Sequence, residues 1–366
     1  MAAGAGMLAA VSGVGGSPAD AAHMSENRPL GNRHRVGITA WALRDPRAQP
    51  GLDETAKSLR SYESMLRWLK NAGYDCAELT VDDFRAAATW GTPHASPREI
   101  VRNVQQAVRA TGLPVCGGLY HISDGTYDPG LPQQLDFEMP DFWQKVEEKI
   151  PLEKEIGAEY LTFQICLPER HMNTGGAYRN DEQYLDLCAQ RIARLQQICF
   201  KNGLNFYVET HIDRLSEDPE AFCKIFDRAP YFEVNADISH YNYRGITKGP
   251  HLARINERVN HCHQRMARQH GDLSSDLNVH FSTVGKIGDA EADWAAKGVT
   301  WQAMESMKPG FQGGMSSRVV VGESGPAFSV KDALELDAKL IPLYRYMAEY
   351  ADAQIGNNTG VGNPFR

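Results

Sequence analysis

From residue 35 onward the chain alternates short β-branched or aromatic runs with longer stretches whose apolar residues recur at helical spacing. That alternation predicts repeated βα units around a parallel sheet. The first unit is HRVGITAWAL, followed by a helix near 54 to 72 that ends at Gly73, a residue free to take the left-handed conformation of a helix stop. The second is YDCAELTV with a helix from about Ser96 to Gly112, where Pro97 takes the first helical position and Glu99 the third, a capping-box arrangement. PVCGGLYHIS is the third strand, with a Gly, Pro and Asp-rich loop over 124–137 and a helix over 139–156. AEYLTFQICL is the fourth, followed by a polar loop around Asn173 to Gly176 and a helix over 181–202 stopped by Gly203.

The fifth strand, LNFYVETHID, leads to a short helix opened by Ser216, Glu217, Asp218 and Pro219, and the sixth is YFEVNADISHY. The seventh, ERVNHCHQRM, runs into an irregular segment, 267–317, with one helical stretch at 291–307 and no clear strand. RVVVGESG is the eighth, closed by an amphipathic helix from Lys331 to Ala353. Eight units predict an α/β chain forming a single (β/α)8 barrel of the TIM type, with enlarged loops after strands 3, 4 and 7. The barrel spans 34–354, between an N-terminal segment, 1–33, and a C-terminal tail, 355–366.

Composition agrees with one large core: 42% of the 366 residues are hydrophobic. The formal charge of -8 is spread along the chain, and no basic tract could follow a phosphate backbone, so nucleic acid is not an expected partner. Seven cysteines, widely spaced and without a CxxC pair, read as buried thiols. The stretch MAAGAGMLAAVSGVGGSPADAAHM is small and apolar, ends in an A-x-A step at Ala19 to Ala21, and is too short for a membrane span. It resembles the apolar part of a twin-arginine export signal, giving a periplasmic or secreted location as the expectation. A flexible tail on a cytoplasmic protein is the other reading. A homo-oligomer is compatible with the chain.

Four residues that favour hard metal ions, Glu209, Asp237, His263 and Glu323, stand near the ends of strands 5, 6, 7 and 8. In a closed parallel barrel the carboxyl ends of the strands converge on one small volume. A carboxylate buried alone in such a place is costly by several kcal/mol, and one shared divalent cation would offset that cost for all three acids together. Three carboxylates and an imidazole suit Mn, Mg or Co, with Zn also accommodated. Residues two apart on a strand share a face, so Glu209 pairs with His211 and His261 with His263, both pairs able to face the barrel mouth. His211 and His240 fit substrate contact, orientation of a ligand, or a structural hydrogen bond. His121 ends strand 3 and Trp41 ends strand 1, placed to line the same mouth, although Trp41 fits the core equally.

The eight-unit rhythm with GYDCAEL, V-E-T-H, A-D-I-S-H, H-C-H and a final V-G-E resembles the xylose isomerase-like barrel superfamily. More narrowly it is similar to the sugar and sugar-phosphate isomerase/epimerase group that includes D-tagatose 3-epimerase. The resemblance covers residues 35 to about 354. It implies one divalent metal ion on Glu209, Asp237, His263 and Glu323, proton transfer by Glu209 and Glu323 on either face of a sugar, and a substrate contact from His240. An Arg shortly after the metal histidine is frequent in the family. Arg265 or Arg268 would take that place here, at a spacing that departs from the family's.

The chemistry stands on its own terms as well. A cation that stabilises charge developing beside a carbonyl lets nearby carboxylates remove and return a proton. Two carboxylates on opposite faces give epimerisation and one gives aldose-ketose isomerisation, while the same parts can run β-elimination as a lyase or dehydratase. Other readings are an endonuclease IV-like phosphodiesterase, which needs a histidine cluster, several zinc ions and a basic groove, and a non-catalytic carbohydrate-binding barrel. The acidic balance speaks against the former, the presence of all four ligand candidates against the latter.

Overall fold

A computed structural model of the chain describes residues 36–39, 61–86, 94–125, 134–172, 174–211, 214–237, 240–241, 249–264, 315–318 and 341. The N-terminal segment, the tail and most of the segment after the seventh strand lie outside the described residues, as do the predicted helix at 291–307 and most of the closing helix.

Nine strands are described: β1 (Val36–Thr39), β2 (Cys76–Glu78), β3 (Val115–Ser123), β4 (Gln134–Asp136), β5 (Tyr160–Ile165), β6 (Asn205–Glu209), β7 (Glu233–Asp237), β8 (Val259–Gln264) and β9 (Met315–Arg318). All their pairings are parallel. Following the hydrogen bonds from β1 through β2, β3, β5, β6, β7 and β8 to β9 returns to β1, where Val36 stands beside Met315 and Thr39 beside Arg318. Eight strands thus close the expected α/β barrel. β4, too short to carry a strand signal of its own, is an addition to the expected eight and lies along the far end of β3 with His121 beside Gln134. The last strand, Met315–Arg318, corrects the expectation of no strand in 267–317: it starts ahead of the RVVVGESG run and shares only Arg318 with it, the rest of that run lying outside the described residues.

Helices α1 (Tyr62–Ala72), α2 (Val81–Ala86), α3 (Pro97–Thr111), α4 (Phe142–Ile156), α5 (Glu182–Lys201), α6 (Pro219–Phe226) and α7 (Pro250–Asn256) follow the strands. The expected start of α1 near residue 54 is corrected. Ser61 and Ser64 exchange side-chain to backbone hydrogen bonds of 3.1 and 3.0 Å, a reciprocal box that begins the helix at Tyr62. Its end is as expected, Gly73 taking φ 105°, where a side chain would be strained. On α3 the Ser96 hydroxyl accepts from the Glu99 N–H, and Ile100, Val101, Val104, Ala107 and Thr111 form its buried stripe. That stripe joins residues from every layer in one continuous core between strands and helices.

Glu153 is a buried acid in this outer core. Carried on α4, it accepts the Val81 N–H on both oxygens at 3.1 Å and the Tyr120 hydroxyl, tying α4 to the start of α2 and to β3. Burial, aided by Asp82 and Asp83, outweighs those hydrogen bonds and pushes its carboxyl up to about 8. All seven cysteines are buried and unbridged, as the apolar runs around them imply. No helix among the described residues is long and apolar enough to cross a membrane.

Candidate metal centre

Register decides what meets inside the barrel. Gln164 follows Phe163, which stands beside Val208, so Gln164 comes level with Glu209; Glu209 stands beside Asn235, and Asn235 beside His261. One step further toward the carboxyl ends, Asp237 stands beside His263. Period-two alternation turns these residues inward while Val208, Ala236 and Cys262 pack outward into the core.

Glu209, Asp237 and His263 are all fully buried. One ligand atom from each lies within 4.8 Å of the other two. Two oxygens held on opposite sides of a Mg- or Ca-sized ion, at about 2.0–2.6 Å from it, are separated by roughly 4–5 Å, so the set fits a single divalent cation. The donor set fits as well: Glu209 and Asp237, two carboxylates in a place without solvent, would repel one another if ionised without a shared cation, and the imidazole adds a neutral nitrogen donor. Glu209 is oriented at both oxygens, by Gln164 Nε2 at 2.6 Å and by His263 Nδ1 at 2.9 Å. Asp237 is approached by His240 Nε2 at 3.3 Å, and its N–H donates to Thr210 Oγ1 at 2.8 Å.

The other nitrogen of His263 leads to Glu78, a residue outside the expected ligand set. Nε2 lies 2.8 Å from Glu78 Oε1, at the end of β2. The second oxygen of Glu78 accepts from the Tyr160 hydroxyl at 2.6 Å and lies 3.3 Å from His261 Nε2. Burial opposes charge on His263, but Glu78 first and Glu209 next push its imidazole up to about 10. Burial also opposes the Glu78 charge, yet His263 and the hydrogen bonds from the two histidines hold its carboxyl well below the usual range. His261 moves the other way, lowered chiefly by burial.

His261 also corrects an expectation. It shares an inward face with His263 but does not reach the mouth; it lies one layer deeper, its ring stacked near-parallel on Tyr207 and packed against Tyr160. Cys76, Cys116, Tyr160 and Tyr207 fill that layer as a small cluster of their own. His240 is buried and His211 half-buried, with ring centroids 3.6 Å apart and planes tilted by 40°, so the two imidazoles lie against each other beside Asp237. His211 is fixed through its N–H, which donates to Ser216 Oγ, while that hydroxyl donates to the Glu209 carbonyl at 2.6 Å. His121 stands level with Gln164 and is buried. Glu323, Trp41, Arg265 and Arg268 lie outside the described residues.

Glu78, Gln164 and Tyr160 are thus the additions. Glu78 carries the same mark that singled out Glu209, an acid ending an apolar run. Gln164 is the lone amide of LTFQICL, and Tyr160 stands two strand periods before it on the same face.

The family model described as xylose isomerase-like TIM barrel matches residues 66–296. No curated protein sequence matches the chain. Among solved structures, L-ribulose 3-epimerase is similar at 12% identity with a TM-score of 0.54, over 90% of this chain and 99% of that one. A xylose isomerase domain protein from Alicyclobacillus acidocaldarius subsp. acidocaldarius is similar at 13% identity and a TM-score of 0.53, over 86% and 99%. A protein from Mycobacterium smegmatis solved with magnesium is similar at 12% and 0.50, over 88% and 98%. At these identities the likeness is one of fold.

Proposed function

Because this chain belongs to the xylose isomerase-like TIM barrel family, we propose that it is a divalent-metal-dependent isomerase or epimerase of a small sugar. The observation that carries this reading is the convergence of Glu209, Asp237 and His263, fully buried, within one cation's reach at the carboxyl ends of three successive strands. Glu209, Asp237 and His263 would hold the ion, with Glu323 as the fourth ligand on the family resemblance. When bound, the cation would supply charge stabilisation at the substrate oxygens beside the reacting carbon.

Glu209 is the proton-transferring group on one face of the sugar. Gln164 Nε2 donates to one of its oxygens, fixing the plane of the carboxylate, and the other oxygen lies beside His263 Nδ1. On the family resemblance Glu323 would serve the opposite face. His240 and His211, in tilted ring contact, offer imidazole nitrogens to sugar hydroxyls, with His121 and, as expected from the sequence, Trp41 and Arg265 as further substrate contacts. A proton removed on one face and returned on the other inverts the carbon; a proton returned to the neighbouring carbon moves the carbonyl.

The test is a panel of keto and aldo sugars incubated in deuterated water with the metal-stripped protein, with and without added Mn. The expected result is deuterium at the carbon alpha to the carbonyl, dependent on Mn and lost in Glu209→Gln. Exchange at full rate in Glu209→Gln, or no exchange with any sugar, would overturn the proposal. An unsaturated product would redirect it to elimination.

A further inference from the structure

The imidazole of His263 has a carboxylate on each side, Glu209 at Nδ1 and Glu78 at Nε2. The two sides differ. On the Nδ1 side stand two acids, Glu209 and Asp237, beside the half-buried His211. On the Nε2 side Glu78 is closed in by Tyr160, His261 and the Cys76–Cys116–Tyr207 cluster, and its second oxygen already accepts the Tyr160 hydroxyl.

We propose that Glu78 is a positioning residue, which takes the Nε2–H of His263 so that the Nδ1 lone pair is aimed at the cation held with Glu209 and Asp237. This rests on the reading of those three residues as a metal site. An imidazole in a closed space can turn about its Cβ–Cγ bond and can carry its proton on either nitrogen. A carboxylate fixed at one nitrogen removes both freedoms and raises the basicity of the other. Tyr160 in turn fixes Glu78, so the orientation is passed from β5 through β2 to β8.

Calorimetric titration of the metal-free protein with Mn at one pH tests this without any sugar. Glu78→Leu should weaken Mn affinity toward 100-fold, and Glu78→Gln, which keeps a carbonyl oxygen for the Nε2–H and loses the charge, by about 10-fold. Thermal unfolding of the metal-free forms checks that each variant is folded. If the leucine variant does not fold, the near-isosteric glutamine variant carries the result, and wild-type affinity in it would overturn the proposal. Binding abolished in Glu78→Leu but intact in Asp237→Asn would also overturn it, because Glu78 would then itself be a ligand. The outcome is separable from the sugar reading. Weakened Mn binding by the variants of a protein that exchanges no sugar proton leaves the positioning role standing and removes the substrate. Sugar exchange with unaltered Mn affinity in the variants does the reverse. A wild-type chain that binds no Mn removes both.

Discussion

The Nδ1 of His263 lies 2.9 Å from Oε1 of Glu209, joining the ends of two strands that are not neighbours, with β7 between them. His263 is the shared partner of two fully buried acids, so its loss is felt at both. His263→Leu is expected to destabilise the metal-free protein by about 3–5 kcal/mol, the usual consequence of leaving a buried charge without its partner. Urea unfolding monitored by circular dichroism measures this, and a loss below about 1 kcal/mol would show that the acids are neutral without it.

Asp237→Asn bears on the ion rather than on stability. It keeps the side-chain shape beside His240 and removes one anionic donor from the proposed set. Mn binding, followed by the electron paramagnetic signal of the free ion, should weaken at least 10-fold, with the midpoint of unfolding of the metal-free protein little changed.

Gly117 is a position where no side chain fits. A Cβ there would sit 2.3 Å from the ring of Tyr160, and Tyr160 is the hydroxyl that holds Glu78. Gly117→Ala should therefore destabilise by about 1–3 kcal/mol, the range for overpacking a filled interior. It should also weaken Mn binding although residue 117 touches no ligand. Wild-type affinity in this variant would mean that Glu78 keeps its place without Tyr160.

A pH prediction comes from Glu153, away from the site. Its folded-state value, about 8, is raised above the usual 4.5 by burial. Between those values the folded chain keeps a proton that the unfolded chain releases, so this acid's contribution to stability is full below about pH 4.5 and lost as pH rises through 8. The stability difference between wild type and Glu153→Gln should therefore shift in favour of the variant from pH 5 to pH 8 and level off above. A difference that stays flat across that window would mean that Glu153 is ionised in the folded protein.

The seven thiols should resist alkylation in the folded state and react together on unfolding. Burial pushes Cys188 up to about 12 and Cys223 up to about 11, which leaves almost no thiolate at neutral pH. Timed labelling with and without denaturant, counted by intact mass, checks this.

The strand runs and helix stops were legible because each is a local signal: apolar runs of strand length, Gly73 and Gly112 at helix ends, Pro97 and Pro219 at helix starts. Short elements were less so. The helix α2 opens with a reciprocal box in which Thr80 and Asp83 exchange hydrogen bonds of 2.7 and 3.1 Å, yet six residues carry too little periodicity to stand out. Glu209, Asp237 and His263 could be grouped because they sit on successive strands. Glu78 could not. Nothing in YDCAELTV separates an acid that meets a cation from one that meets a histidine. Only ring closure, which brings β2 across the interior from β8, makes that distinction.

The pairing of β1 with β9 has a consequence for how the molecule comes into being. Val36 and Met315 are partners across almost the whole described chain, and such contacts are the slowest to form because a very long loop must close first. During synthesis at about 5–20 residues per second, β1 through β8 can pair in order as they emerge, but β1 and β8 keep open edges until β9 arrives between them. An unpaired edge invites pairing with another chain. Ribosome-bound intermediates ending before residue 315 should therefore be the species most in need of a chaperone.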